Sequence, residues 1–511
     1  MANDVMKVYI KPTSIWLYPY KKFSLYSLEK MLSVWDYVSK KYVQFLYEYI
    51  PEEDGADYGV LKVPIGIGVN KVRELLDSAA IPYKIINESL NFKKVYFKTP
   101  DVPSDRLTLL PKDDNIQGPT IDFLNRTDSF QKFITLDTGR GKTYCTVKHI
   151  IDSGLTAMII SYNLSPQWMD RIGDYTNLVK NKEYVFIPGT DYLYKIYNDK
   201  HFVYNPKVKI YVVSIPTLAS FMKETSPLAL NDIARKLGID IKVFDEAHNR
   251  YVMFNTIDMN MQVRETVYLT ATPGRSVSAE NRMYSKIYDA VPSYGGFTST
   301  MNNYYTIKYI VFDGKFTPKD VLKCKTLRGL NTFKYSRIFF DRWQKPAYEL
   351  IKYLILKLLE HKKNGRVLIV MDWIKDIVAL ANWLRIELPE HSVGTYCKAI
   401  SDKATREKEL EKDIIIGTIG SMQNGKDIAR LIGIIPFTQY SSQIVAHQLL
   451  GRLRYVHDSD VFYFDIYDPS VRSVEYQHTL RDQYFSKRAK NDIPTYMIDL
   501  CDPESFNTIE V

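Results

Sequence analysis

Hydrophobic and polar positions divide the first hundred residues into short elements of both kinds. Apolar runs at 7–10, 15–18, 60–63, 83–86 and 94–97 predict strands. Apolar residues recur at helical spacing over 25–49 and 68–78, which predicts two helices. The pattern therefore predicts a small α+β unit. Residues 101–115 are rich in Pro, Asp and Ser and are typical of a linker.

The rest of the chain repeats one pattern twice, with apolar strands alternating with helical segments. The first set of predicted strands covers 133–136, 157–161, 209–214, 239–244 and 266–269. The second set covers 305–311, 367–371, 394–397, 413–418, 432–435 and 460–465. Such alternation is typical of parallel sheets with flanking helices. The fold class is therefore α/β, with two tandem lobes after the α+β unit. The predicted domains are 1–103, 104–297, 298–475, and a C-terminal helix and tail at 476–511.

Composition narrows the class of protein. A chain of 511 residues exceeds the size of a single core, and its charged fraction of 25% is ordinary for globular proteins. The net charge of +9 mildly favours an acidic polymer as partner. The four cysteines form no CxxC or Cys/His cluster, and no apolar run is long enough for a membrane span. We expect a cytoplasmic protein without a membrane partner, monomeric in solution.

A glycine-rich segment follows the first strand of the first lobe and opens a predicted helix. Its residues are Leu136, Asp137, Thr138, Gly139, Arg140, Gly141, Lys142 and Thr143. Glycines allow backbone N–H groups to approach phosphates, and the helix N-terminus adds positive potential. Lys142 would pair with the β and γ phosphates of ATP, and Thr143 would coordinate Mg²⁺. The general pattern has glycine where Leu136 stands. The alternative is a chance Gly-Lys-Thr turn.

An acidic pair caps a later strand of the same lobe. Asp245 and Glu246 begin the sequence Asp-Glu-Ala-His after the strand at 239–244. Parallel sheets place ligand sites at the carboxyl ends of their strands, so this box is expected beside the glycine-rich loop. Asp245 would hold Mg²⁺ through water, and Glu246 would orient and deprotonate the attacking water. The alternative is that Asp245 caps a helix.

With Lys142 and the Asp-Glu-Ala-His box placed, residues 116–470 resemble superfamily 2 helicases, which have two RecA-like lobes. Residues 161–168 resemble motif Ia, and 214–218 resemble the next strand-contacting motif. Residues 270–273 resemble motif III, 367–373 motif IV, 418–428 motif V and 448–454 motif VI.

The resemblance implies roles for further residues. Nucleic-acid contacts fall to Gln167, Trp168, Thr217 and Thr418. Coupling of hydrolysis to movement falls to His248, Thr270, Thr272 and Gln448. Nucleotide contacts fall to Gln117, which lies 25 residues before Lys142, and to Gly425 and Asp427.

Two arginines are candidates for the charge that completes phosphoryl transfer. An arginine from a second lobe can neutralise the γ-phosphate when the cleft between the lobes closes. Arg452 matches the first motif VI arginine. Many family members have the second arginine three positions later, where this chain has Tyr455, whereas Arg454 is only two positions later. The alternative for both arginines is a solvated basic turn.

The N-terminal stretch 58–68, with the helix and strand after it, is similar to the leading domain of UvsW-type phage recombination helicases. That resemblance implies an ATP- and Mg²⁺-dependent helicase that remodels branched DNA: forks, R-loops containing RNA, and Holliday junctions. Lys93, Lys94 and Lys98 would add duplex contacts, unless they are solvated edge-strand charges. Two alternatives remain open. One is an RNA helicase or transcript-release factor with the same core, of which the poxvirus type is an example. The other is a nucleic-acid-binding annealing protein with a weak ATPase.

Overall fold

The computed structural model forms two compact units, Met1–Thr300 and Met301–Val511. It describes residues 5–36, 40–53, 58–89, 106–109, 111, 115–137, 139–162, 165–248, 250–271, 278–295, 304–326, 329–397, 403–423, 428–453 and 460–511. In these ranges no helix combines the length and apolar composition that crossing a bilayer requires.

The first unit begins with a five-stranded mixed sheet in the order β5-β6-β2-β1-β7. Its strands are β1 (Met6–Ile10), β2 (Ser14–Lys21), β5 (Glu48–Pro51), β6 (Tyr58–Pro64) and β7 (Tyr83–Asn87). In the chain, β2 is followed by helix α1 (Tyr26–Met31) and by a separate hairpin of β3 (Ser33–Asp36) and β4 (Lys41–Phe45), and β5 comes after them. A short 3-10 helix (Ile65–Ile67) and helix α2 (Val69–Ser78) follow β6. The prediction of an α+β unit is confirmed.

The prediction of a single helix over 25–49 is wrong. That stretch contains α1, the hairpin and the first two residues of β5. Its apolar residues match helical and strand periodicity alike. Val34, Trp35, Tyr42 and Val43 are β-branched or aromatic residues, which fit a pleated strand. The strand predicted at 94–97 lies outside the described residues.

A seven-stranded parallel sheet forms the larger part of the first unit, in the order β10-β11-β9-β12-β13-β8-β14. Its strands are β8 (Gln131–Thr135), β9 (Ala157–Ser161), β10 (Tyr184–Ile187), β11 (Ile210–Ser214), β12 (Ile241–Phe244), β13 (Glu265–Thr270) and β14 (Ser293–Gly295). The five predicted strands are present. The additional strands β10 and β14 are edge strands that carry less buried apolar surface than the central ones.

Eight helices within the described residues flank this sheet or cap its ends. They are α3 (Gln117–Leu124), α4 (Lys142–Ser153), α5 (Ser165–Tyr175), α6 (Thr190–Asn198), α7 (Ile215–Glu224), α8 (Ala229–Lys236), α9 (Tyr251–Asn260) and α10 (Ser278–Tyr288).

The N-terminal sheet and the parallel sheet share one hydrophobic core. A single cluster of buried side chains runs from Met6 to Val291 and includes residues of both sheets. The 3-10 helix lies so close to α10 that a Cβ at Gly66 would come within 1.5 Å of the Ile287 carbonyl oxygen, so glycine is required there. The N-terminal region is therefore packed as part of the first unit.

The described residues of the predicted linker also pack against the parallel sheet region of the first unit. Arg106 Nη2 donates to Glu183 Oε1 at 2.7 Å, and Leu107 forms an isolated antiparallel bridge with Thr176.

The second unit is built on another seven-stranded parallel sheet, in the order β19-β20-β18-β21-β22-β15-β23. Its strands are β15 (Tyr305–Val311), β18 (Arg366–Met371), β19 (Val393–Tyr396), β20 (Ile414–Thr418), β21 (Leu431–Pro436), β22 (Val461–Tyr467) and β23 (Thr495–Met497). A two-residue pair, β16 (Lys325–Thr326) and β17 (Gly329–Leu330), forms a separate small sheet.

Its helices are α11 (Pro318–Cys324), α12 (Thr332–His361), α13 (Ile374–Glu387), α14 (Lys403–Glu409), α15 (Ile419–Gln423), α16 (Gln443–Leu450) and α17 (Arg472–Phe485). The prediction of two parallel α/β lobes is confirmed.

The C-terminal tail is more ordered than its sequence indicates. Strand β23 extends the second sheet beside β15, and a 3-10 helix (Pro503–Thr508) follows it. Leu500, Phe506 and Ile509 are buried in the core of the second unit. Helix α17 runs across the predicted boundary at 475/476. The division into four domains remains a prediction.

Candidate nucleotide-binding site

The glycine-rich loop connects β8 to α4, which begins at Lys142 as predicted. This strand–loop–helix arrangement is the one that phosphate binding requires, and it argues against a chance Gly-Lys-Thr turn. Gly139 and Gly141 have φ angles of 85° and 91°, which are left-handed values that favour glycine. A Cβ at Gly141 would also come within 2.6 Å of Gln117 Nε2, so the predicted nucleotide-binding glutamine lies against the loop.

Lys142 is held inside this loop. Its ammonium donates hydrogen bonds to the carbonyl oxygens of Leu136 and Asp137. Thr143 follows in the first turn of α4, and Arg140 is half-buried in the loop. The lysine, the hydroxyl and the loop N–H groups are thus gathered at one helix N-terminus, where an anion is stabilised.

The carboxylate box follows β12 and is held by both neighbouring strands. Asp245 N donates to the Ile160 carbonyl oxygen of β9 at 3.0 Å, and Ala247 N donates to the Leu269 carbonyl oxygen of β13 at 2.8 Å. Helix α9 begins only at Tyr251 and has Arg250 as its N-cap, so Asp245 does not cap that helix. Glu246 has a φ of 53°, a left-handed conformation that is rare for a non-glycine residue and is often found at functional sites.

Electrostatics connect the box to the loop. Burial raises the pKa of the Asp245 carboxyl, and the neighbouring Glu246 charge raises it further. Burial also raises the pKa of Glu246. The Lys142 ammonium opposes both shifts. Lys142, Asp245 and Glu246 therefore form one electrostatic unit at the carboxyl edge of the first sheet, as the sequence predicts.

His248 and Thr270 connect the box to the end of β13. His248 Nδ1 lies 2.8 Å from Thr270 Oγ1 and 3.2 Å from Glu246 Oε2. Strand β13 lies between β12 and β8 in the sheet, so Thr270 stands between the carboxylate box and the phosphate loop. Two of the predicted coupling residues, His248 and Thr270, are therefore in contact with each other, and His248 also contacts Glu246.

The structure changes the assignment of Trp168. Its side chain is buried at 3% exposure, and its indole Nε1 donates to Asp245 Oδ2 at 2.7 Å. The side chain is therefore not placed for the nucleic-acid contact predicted from motif Ia. We assign it as a positioning residue for Asp245, while the half-buried Gln167 remains the candidate for strand contact.

The other predicted strand contact of the first unit is Thr217, at the start of α7. Ser214 caps this helix, and its Oγ lies 2.8 Å from Thr217 Oγ1.

In the second unit, Thr418 ends β20. Its Oγ1 lies 3.0 Å from Ser421 Oγ, and Ser421 Oγ in turn donates to the Tyr396 carbonyl oxygen at 2.9 Å. The sequence motifs do not single out Ser421, which lies in α15 and also donates its backbone N–H to Thr418 Oγ1 at 3.3 Å.

The motif VI residues lie at the end of α16. Gln448 is half-buried in the helix, and Arg452 follows in the next turn. The Arg452 side chain is buried, and its Nε donates to the Met422 carbonyl oxygen of α15. A solvated basic turn therefore does not describe Arg452. Its action on a γ-phosphate stays a prediction.

Several predicted residues lie outside the described residues. They are Lys93, Lys94, Lys98, Thr138, Thr272, Gly425, Asp427 and Arg454.

Comparisons with known proteins found similarity to one family model and to several solved structures. Residues 113–275 match the family model described as the type III restriction enzyme, res subunit. A comparison with curated protein sequences gave no significant match.

Among solved structures, Mss116p bound to single-stranded RNA and AMP-PNP is 14% identical, with a TM-score of 0.51 and coverage of 76% of this chain and 75% of that one. Dbp5 of S. cerevisiae, bound to RNA and ADP BeF3, is 15% identical, with a TM-score of 0.49 and coverage of 78% and 93%. UvsW of T4 is 15% identical, with a TM-score of 0.36 and coverage of 97% and 100%. The match to Mss116p supports a fold of two tandem RecA-like lobes, and the family-model match places a domain similar to the res subunit at residues 113–275.

Proposed function

We propose that this chain is an ATP-driven helicase or translocase whose substrate is branched DNA, including forks, R-loops and Holliday junctions. The observation that supports the motor is the convergence of Lys142, Asp245, Glu246 and Thr270 at one sheet edge. Support for branched DNA comes from the α+β unit that precedes the lobes and from its similarity to the leading domain of UvsW-type helicases. The protein would act as a cytoplasmic monomer.

The residues of the first unit fit a Mg²⁺–nucleotide complex. A hydroxyl from Thr143 and a carboxylate from Asp245 are the oxygen ligands that Mg²⁺ prefers. Burial disfavours the charge on Asp245, which suits a site that a cation completes. When bound, Mg²⁺ would neutralise charge on the β- and γ-phosphate oxygens.

Each residue then has a defined task. The loop N–H groups and Lys142 bind the phosphates, and Gln117 lies beside the loop as the candidate base-contacting residue. Glu246 orients the attacking water and accepts its proton. His248 lies between Glu246 and Thr270, the last residue of β13, so the two residues can relay the state of the site to the strand-contacting segments. Arg452 would stabilise the charge that develops on the γ-phosphate.

An ATPase assay with a panel of nucleic acids tests the proposal. The wild-type protein should hydrolyse ATP faster with forked DNA, R-loops or Holliday junctions than with linear duplex or single-stranded RNA. Contacts to phosphates should make this stimulation weaker at higher salt. Stronger stimulation by RNA would favour an RNA helicase, and the RNA-bound Mss116p makes this the necessary comparison.

The variant Glu246→Gln tests the catalytic assignment. We expect ATP turnover to fall at least about 100-fold, since general-base contributions are typically 10²–10⁴-fold. Nucleic-acid binding should persist. The exposed Glu360→Gln is the control and should leave turnover unchanged. Unchanged turnover in Glu246→Gln would overturn the catalytic assignment of Glu246 and favour the alternative of a nucleic-acid-binding annealing protein with a weak ATPase.

A further inference from the structure

One face of the β3–β4 hairpin carries solvent-exposed aromatic rings. Trp35 and Tyr42 are directly opposite in the register, and their ring centroids are 5.0 Å apart. Tyr26 of α1 joins them, with its hydroxyl oxygen 3.4 Å from that of Tyr42. Tyr26, Trp35 and Phe45 are 53%, 40% and 44% exposed. We call Tyr26, Trp35, Tyr42 and Phe45 the hairpin face.

The strand pairing explains why these rings share one side. Side chains alternate between the faces of a strand, so Ser33 and Trp35 point the same way. Tyr42 lies opposite Trp35, and Phe45 lies opposite Ser33 because the register shifts at Val34. The shift leaves Gln44 as an extra residue, with a left-handed φ of 57°. Without this bulge, Phe45 would point to the other face of the hairpin.

The hairpin is fixed to the motor by the helix that follows the carboxylate box. Tyr251 donates its hydroxyl hydrogen to Gln44 Oε1 at 3.0 Å. Asn255 Nδ2 donates to the Leu46 carbonyl oxygen, also at 3.0 Å. Helix α9 begins five residues after Glu246, so the base of the hairpin and the hydrolysis site are joined by a short stretch of chain.

Charge around the hairpin favours an acidic partner. Residues 21–47 contain five lysines and two acidic residues. Lys30, Lys40 and Lys41 are exposed, and one of the two acids, Glu29, is buried and accepts hydrogen bonds from Tyr20 and Phe23. Exposed aromatic rings beside lysines are the combination that binds single-stranded nucleic acid, because every base can stack and every phosphate is anionic.

We propose that the hairpin face stacks against unpaired bases of the nucleic acid on which the motor acts. The inference rests on the proposed function and adds to it a base-binding surface, the hairpin face in the N-terminal region. Stacking recognises the base as a class and is tolerant of sequence. The link through α9 would keep the stacked bases at a fixed place relative to the first unit.

The double variant Trp35→Ala/Tyr42→Ala tests the proposal in the full-length protein. Its affinity for a fluorescent single-stranded DNA should fall at least about tenfold relative to wild type, which is the effect expected when base stacking is lost. Affinity for an abasic strand of the same length should not change, because that strand has phosphates but no bases. Tyr476→Ala, which removes a 63%-exposed tyrosine from α17, is the matched control and should bind like wild type.

The outcomes separate the two proposals. If no nucleic acid stimulates the wild-type ATPase, the proposed function fails. If stimulation is normal but the double variant binds the ordinary strand as tightly as wild type, the hairpin proposal is overturned and a protein-binding role for the face gains support. An equal loss on both strands overturns it too, since the contact would then be to the backbone.

A second measurement covers the case in which the double variant does not fold. Stacking on Trp35 should quench part of the protein's tryptophan fluorescence when the ordinary strand binds. Trp35→Phe keeps a ring for stacking, so it should bind normally while that part of the quenching disappears. Identical quenching in wild type and Trp35→Phe would contradict the proposal. Basal ATPase without nucleic acid, unchanged in each variant, shows that the first unit is intact.

Discussion

At the scale of single residues, Asp245 shows a conflict between stability and chemistry. The carboxyl is buried, and its pKa is raised from 3.8 to about 7, first by burial and then by the charge of Glu246. The folded protein therefore binds a proton at Asp245 more tightly than the unfolded chain does. Ionised Asp245 destabilises the fold in the absence of nucleotide, and Mg²⁺ binding requires the same ionised form.

Asp245→Asn should stabilise the fold and abolish ATP hydrolysis. Between pH 3.8 and about 7, the wild-type folded state holds a proton that the unfolded state has lost, so wild-type stability falls as pH rises. The advantage of the Asn variant should be complete above pH 7, at about 4 kcal/mol, and should vanish below about pH 4. Urea unfolding at several pH values, in EDTA and without nucleotide, measures it. A stability difference that is constant across this range would contradict the prediction.

Residue types and spacing are sufficient to predict that Lys142, Asp245 and Glu246 lie at one edge of the first sheet, because parallel strands place ligand sites at their carboxyl ends. Trp168 shows where such prediction stops. Its indole reaches Asp245 across 77 positions of sequence, whereas the resemblance to motif Ia implied a contact with nucleic acid. A hydrogen bond between distant positions depends on how α5 packs on the sheet, which local sequence does not encode.

At the scale of elements, the central strands were predictable because parallel strands are buried on both faces and appear as continuous apolar runs. The missed strands β10, β14 and β23 are short edge strands whose side chains are partly exposed. The sequence predicts a helix where the hairpin at 33–45 lies, because the apolar residues of this stretch satisfy helical and strand periodicities at once. Its strand identity is decided by packing, with Leu32 and Leu46 buried in the shared core.

Helix α9 is joined to the central strands by a buried ion pair. Lys242 of β12 lies 2.7 Å from Asp258 Oδ1 of α9, and both side chains are at most 3% exposed. Tyr268 of β13 donates to Asp258 Oδ2 at 2.6 Å. The strand before the carboxylate box is therefore connected to the helix after it, the same helix that holds the aromatic hairpin.

Asp258→Asn should destabilise the protein by about 3–5 kcal/mol, because it leaves the buried Lys242 ammonium without a counter-charge. Adding Lys242→Met should recover most of the loss, since removing both charges removes the desolvation penalty. Denaturant unfolding measures both variants. The exposed pair Arg235 and Asp232 supplies the control, and Asp232→Asn should change stability by less than about 1 kcal/mol. Equal losses of unfolding free energy in Asp258→Asn and Asp232→Asn would show that burial of the ion pair does not determine its contribution to stability.

At the scale of the whole molecule, the two units differ in how they are built. The second unit contains its complete sheet, its helices and the C-terminal tail within Met301–Val511. The first unit depends on the N-terminal sheet, whose Ile15, Leu17, Leu61 and Val63 are fully buried in the core shared with α9 and α10. The sequence suggested a separable N-terminal domain because residues 101–115 have the composition of a linker.

Expression of fragments tests this difference. Residues 301–511 should fold alone and melt cooperatively, since their apolar side chains are buried by one another. Residues 113–300 should not reach a native core, because deleting the N-terminal sheet uncovers apolar surface on α9 and α10 and removes buried polar partners. Lys62 Nζ donates to Asn260 Oδ1 at 2.7 Å, and Thr13 Oγ1 donates to the Asp258 carbonyl oxygen at 2.7 Å.

Circular dichroism and binding of a hydrophobic dye distinguish these outcomes. The 113–300 fragment should retain helical signal, bind dye strongly and lack a sharp thermal transition, which are the signs of lost tertiary packing. A fragment 1–300, which keeps the N-terminal sheet, is the matched control and should melt sharply without binding dye. A sharp melt of 113–300 at the temperature of 1–300 would mean that the N-terminal sheet is an accessory on an independent lobe. The contacts from Lys62 of β6 and from Thr13 to α9 would then contribute little to stability, and the aromatic hairpin could move independently of the carboxylate box.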